Sequence, residues 1–94
     1  MENIPSVDSI ESAHTFPGVY QIKAIGLVDD DFEGRVVKAV VGELSSASEL
    51  EYSGRTTPAG RHVSLTLHVT VQSAEQVRRI YAKIHEIKGL TLLL

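Results

Sequence analysis

Ninety-four residues, 43% hydrophobic and 22% charged, suffice for one domain around one core and leave no room for a second. The chain contains no cysteine, which excludes disulfide frameworks, thiolate metal sites, iron–sulfur ligation and cysteine nucleophiles. The formal charge of −3 is accounted for by Glu2, Asp8 and Glu11, and in the near-neutral remainder Arg35, Arg55, Arg61, Arg78 and Arg79 alternate with acids, unlike the basic stripe of a nucleic-acid binder.

Residues 1–15 follow neither hydrophobic period and carry Pro, Ser and acids, which predicts a flexible N-terminal tail before a domain spanning 16–94. From Met1 to Phe16 there is no Lys or Arg and no apolar run of an export signal. No stretch approaches the roughly 18 apolar residues of a membrane span. The expectation is a cytoplasmic chain without a membrane partner.

From Val19 to Leu27, Tyr20, Ile22 and Ala24 share one face of a first strand and Val19, Gln21, Lys23 and Ile25 the other. Asp30, followed by Glu33 at capping-box spacing, predicts a helix start, and Phe32, Val36, Val40 and Leu44 then build an apolar stripe to about Leu44. Gly34 costs this helix about 1 kcal/mol relative to Ala. A polar loop over 45–48 leads to a weaker strand over 50–56, and Pro58 and Gly60 mark a turn.

Val63, Leu65, Leu67, Val69 and Val71 then alternate with His62, Ser64, Thr66, His68 and Thr70, a strand with one buried and one wet face. Ser73 and Gln76 repeat the capping-box spacing ahead of a second helix with Val77, Ile80, Tyr81, Ile84 and Ile87 on one side, ended by Gly89. A last strand runs from Leu90 to Leu94. The order βαββαβ predicts an α+β, ferredoxin-like sandwich, with two helices on one face of a four-stranded antiparallel sheet.

No metal site is expected. His62 and His68 share the wet strand face but stand about 20 Å apart at ~3.3 Å per residue, too far for one coordination sphere; His14 and His85 fall singly in the tail and on a helix. The chain also lacks a recognisable nucleophile–base pair, carboxylate dyad or Gly-rich phosphate loop. The acylphosphatase use of this fold wants an arginine directly after the first strand, and the RNA-binding use wants aromatics where Gln21, Lys23, Ser64, Thr66 and His68 stand. The expectation is therefore a non-enzyme without a cofactor and without a nucleic-acid partner.

Two regions are candidates for binding. Gly26, Asp29, Asp30 and Asp31 lie at the junction of first strand and first helix, where free backbone N–H groups can hold a carboxylate and the acids an ammonium group. That combination would suit an amino-acid-like zwitterion. The simpler alternative is that one Asp caps the helix and the others favour its dipole. At the other end, Leu90, Leu92, Leu93 and Leu94 offer apolar side chains to both faces of what would be an edge strand. Either a homodimer joins two sheets there or covers Leu93, or Leu93 packs on its own neighbours.

Thr15-Phe16-Pro17, the run from Gln21 to Gly26, Asp31-Phe32, Gly60 to Val71 and the final helix and strand together resemble the uncharacterised bacterial YbeD-like family over about residues 15–94. The resemblance implies a ferredoxin-like fold similar to ACT domains, regulatory modules that bind amino acids and control metabolic enzymes. It implies ligand approach at Gly26 and the loop through Asp30 and Asp31, and a regulated enzyme or other protein as partner. The expected function is a non-catalytic regulatory or binding module for a small polar metabolite. The alternative is a protein-interaction module acting through its sheet edge, as a dimer or in a complex.

Overall fold

A computed structural model describes residues 4–94. It contains four strands, β1 (Gly18–Leu27), β2 (Leu50–Thr56), β3 (His62–Val71) and β4 (Leu90–Leu93), and three α-helices, α1 (Val7–Ala13), α2 (Phe32–Val41) and α3 (Ala74–His85). The strands form one antiparallel sheet in the order β2-β3-β1-β4. The two longest strands sit in the centre and pair along their whole length, from Gly18 opposite Val71 to Leu27 opposite His62. This is the expected ferredoxin-like arrangement.

The period-2 alternation of β3 is realised in full: Val63, Leu65, Leu67, Val69 and Val71 are buried under the helices, with Tyr20, Ile22 and Ala24 of β1 beside them. Phe32, Val36 and Val40 of α2 and Val77, Ile80, Tyr81 and Ile84 of α3 close the core from above. Full burial of each aliphatic side chain contributes about 1.5–3 kcal/mol, so this layer holds the sheet and helices together.

The N-terminal segment differs from the expected tail. Val7–Ala13 is a helix whose N-cap Ser6 accepts a hydrogen bond from the Ser9 N–H. Ile10 is 1% exposed within the core, Ile4 and Val7 pack against it, and the Arg78 guanidinium donates to the Pro5 carbonyl at 3.1 Å. Ile4, Val7 and Ile10 recur every three residues, a docking edge too short to register as a helical period. Residues 1–3 of the expected tail lie outside the described residues.

At the last strand the structure favours one of the two alternatives. Leu93 is 3% exposed and lies opposite Ala24 on the helix side, so it belongs to the chain's own core and not to an exposed edge. Leu92 and Leu94 point the other way and are exposed. With Val19 and Leu27, also exposed, they give the open sheet face an apolar margin that its hydroxyl-rich centre did not suggest. No helix among the described residues is long and apolar enough to cross a membrane.

Candidate functional site

At the end of β1 the backbone passes close to an aromatic ring of α2. A Cβ on Gly26 would lie 2.5 and 2.6 Å from two ring carbons of Phe32, which is itself fully buried. Gly26 is therefore occupied from within: its missing side chain is the seat of the Phe32 ring. On that side no space remains for a ligand.

The three aspartates are not equivalent. Asp29–Asp31 form a 3-10 turn in which Asp30 (φ 56°) and Asp31 (φ 52°) are both left-handed, a conformation that Asp tolerates better than most side chains. Asp31, not Asp30, is the N-cap of α2, its carboxylate accepting from the Gly34 N–H at 3.2 Å. A Cβ on Gly34 would run into that same carboxylate, so the glycine that weakens the helix makes space for its cap. Asp30 contributes its carbonyl, which accepts from Arg35 Nε at 2.8 Å.

Arg35 is the residue that composition and spacing did not single out. Besides the Asp30 carbonyl, it reaches the Lys88 carbonyl at 2.9 Å, 53 residues away, with its guanidinium carbon 6.0 Å from the Phe32 ring centroid. Lys88 is followed by Gly89 at φ 100°, which only glycine adopts readily. The fork of Arg35 thus bridges the loop after β1 to the turn before β4, two bonds that suit a planar guanidinium and not a lysine.

Around this bridge lies an open cleft of about 430 Å³ lined by Leu27, Asp29, Asp30, Arg35, Lys88 and Gly89. Two carboxylates and two cations line one concave surface, and Asp31 is turned away into its cap. A sequence signal for the missing half existed: a basic residue before a glycine at the last helix–strand turn, and an arginine one turn into α2. Nothing in one sequence showed that they meet.

No group of three or more potential metal ligands occurs among the described residues. His68 Nε2 shares a 3.0 Å hydrogen bond with Gln21 Oε1 across β1 and β3. His14, expected to be a solitary tail residue, stacks against Tyr20 with ring centroids 4.3 Å apart, and Tyr20 meets Tyr81 edge-on at 6.2 Å. Burial, and then the neighbouring Tyr20, push the Tyr81 hydroxyl well above the ordinary tyrosine pKa.

The apparent second capping box is also rearranged. Ser73 caps α3 by accepting from the Gln76 N–H, but the Gln76 side chain accepts from the Gln72 N–H at 2.7 Å and donates to the Glu43 carbonyl at 2.9 Å. A reciprocal box forms instead at Ser46 and Glu49, inside the segment read as a polar loop.

Over residues 11–94 the sequence matches a family described as "Protein of unknown function (DUF493)". A UPF0250 protein of Shewanella piezotolerans (strain WP3 / JCM 13877) is 30% identical over 79 residues, covering 84% of this chain and 88% of that protein. A UPF0250 protein of Janthinobacterium sp. (strain Marseille) is 32% identical over 75 residues, covering 80% and 82%. A third, from Shewanella frigidimarina (strain NCIMB 400), is 32% identical over 79 residues, covering 84% and 88%.

Proposed function

Since the chain belongs to the DUF493 family of proteins of unknown function, the YbeD-like family its sequence resembles, we propose that it is a non-catalytic binding module with a small zwitterion as its ligand. The observation that carries this reading is the cleft of about 430 Å³ beside Arg35, whose lining includes Asp29, Asp30, Arg35 and Lys88. The carboxylates suit an ammonium group, and the cations suit a carboxylate. An amino acid presents both, a few ångströms apart. The reading makes the module an ACT-like sensor whose occupancy is passed to a regulated partner.

The test is calorimetric titration of the purified chain with individual amino acids, paired with thermal melting followed by far-UV circular dichroism. One amino acid should bind saturably; at 100 times its dissociation constant it adds about 2.7 kcal/mol, several degrees for a domain of this size. Asp30→Asn and Lys88→Gln should each weaken that binding with the fold intact. Absence of binding by every amino acid at millimolar concentration would sink the sensor reading.

A second reading rests on β4. It is an edge strand of four residues with Leu92 and Leu94 exposed beside it, and an unpaired edge next to apolar side chains is suited to adding a strand from a second copy. Light scattering at high micromolar concentration should then report a dimer that Leu92→Asp disperses. A monomer under those conditions would remove this reading.

A further inference from the structure

The open face of the sheet carries a second cleft that shares no residue with the first. About 370 Å³ in volume, it is lined by Lys23 of β1, Ser53, Gly54 and Arg55 of β2, and Ser64 and Thr66 of β3. Strand register explains how residues from three segments meet there. Lys23 lies opposite Thr66 and Thr66 opposite Ser53, forming one row across the sheet; Ser64 lies opposite Arg55 in the next row. Alternation puts all five side chains on the side away from the helices.

Lys23 and Arg55 occupy diagonal corners of this grid, with Cα atoms roughly 12 Å apart at ~4.8 Å between strands and ~3.4 Å per residue. The hydroxyls of Ser53, Ser64 and Thr66 lie between them. Among the described residues neither the Lys23 ammonium nor the Arg55 guanidinium has an ion-pair or hydrogen-bond partner, in contrast to Arg79, which is paired with Glu43 at 3.3 Å. On β2 the nearest acid by register is Glu51, one row further along and opposite His68; Glu33 lies against Gly54 from the helix side, and the backbone of Leu94 pairs with that of Lys23. Two unpaired cations thus flank a floor of hydroxyl donors.

We propose that this grid binds the phosphoryl group of a small metabolite. A tetrahedral dianion offers three oxygens, enough to engage the fork of Arg55, the Lys23 ammonium and the hydroxyls together. A carboxylate, with two oxygens in one plane, would leave part of the floor unused. Extended single-stranded nucleic acid is disfavoured because the same face carries no aromatic platform on β1 or β3, where Gln21, Lys23, Ser64, Thr66 and His68 stand.

The test is a titration of the isotope-labelled full chain with inorganic phosphate, followed by amide chemical shifts, with potassium chloride at matched ionic strength and acetate as controls. Phosphate should give saturable shifts centred on 53–55, 64–66 and Lys23. Lys23→Gln and Arg55→Gln should each weaken the interaction by about tenfold, the loss expected of one charge-assisted contact, without moving the melting temperature. Glycerol 3-phosphate, which has neither an ammonium nor a carboxylate group, should bind at least as well as phosphate, and Asp30→Asn and Lys88→Gln should leave both unaffected. The proposal is overturned if chloride or acetate reproduces the shifts, if neither substitution weakens them, if no shift appears in ~50 mM phosphate, far above typical metabolite affinities, or if only an oligonucleotide perturbs this face.

Discussion

Replacing Gly26 with Ala tests whether this glycine is a seat for Phe32 or an opening for a ligand. The added Cβ would approach two ring carbons to 2.5 and 2.6 Å, against about 3.5–4.0 Å for an optimal carbon–carbon contact, so the ring must retreat by about 1 Å. Phe32 is fully buried, and overpacking of this kind costs typically about 1–3 kcal/mol. The lower backbone freedom of Ala in the unfolded chain returns about 0.4–1 kcal/mol of that. A net loss of about 1–2 kcal/mol corresponds to a melting temperature roughly 4–16 °C lower. Urea unfolding followed by far-UV circular dichroism measures it directly, since the chain has no Trp. In a Phe32→Leu background, itself destabilised, the same Gly26→Ala change should cost under about 1 kcal/mol, because the two sites are in contact and their effects are not additive. Equal costs in the two backgrounds, or a loss below about 0.5 kcal/mol in the native one, would refute the packing account.

Gln76→Ala should cost about 1–3 kcal/mol by leaving the Gln72 N–H and the Glu43 carbonyl without their side-chain partner; a Gln76→Glu control keeps the acceptor and should retain part of that stability in urea unfolding. Tyr81 has a raised pKa in the folded chain relative to its ordinary 10.0, so above pH about 10 the unfolded state releases a proton that the folded state holds, and stability falls as pH rises. Melting temperatures measured between pH 9 and 11 should therefore drop more steeply for the native chain than for Tyr81→Phe. Ile10→Ala should cost about 2 kcal/mol or more if α1 stays docked, and less if the helix releases first; limited proteolysis of that variant should cut before Gly18 while the rest of the chain stays intact.

The two central strands and the two long helices could be read from sequence because each carries its own period over ten or more residues, β3 most clearly. Helix α1 could not, since a seven-residue helix presents only Val7 and Ile10 plus the preceding Ile4 to the core, shorter than any window in which a 3.6-residue period emerges. Three consecutive aspartates offered three capping registers, and the choice of Asp31 followed from two left-handed residues that no local preference dictates. Leu93 and Leu94 are indistinguishable as residue types; a register shift between Ile25 and Gly26 on β1 and the position of Ala24 decide which is buried. Half of the charged cleft was visible as Asp29 and Asp30. The other half depended on Arg35 crossing to Lys88, a contact between segments far apart in the chain.

The Arg35 bridge ties together more than the walls of a cleft. At the same end of the sheet the Leu27 N–H donates to the Gly89 carbonyl and the Val28 N–H to the Arg61 carbonyl, each at 2.9 Å. Three connections, the one after β1, the one between β2 and β3 and the one before β4, are therefore fastened to a single knot. A ligand whose affinity depended on how Arg35 is held would act on the start of β4 through that knot. Thermodynamic reciprocity then requires that whatever pairs with β4 alter the ligand's affinity by the same factor. In a chain of 94 residues, one arginine thereby joins the loop after β1 to the start of the edge strand.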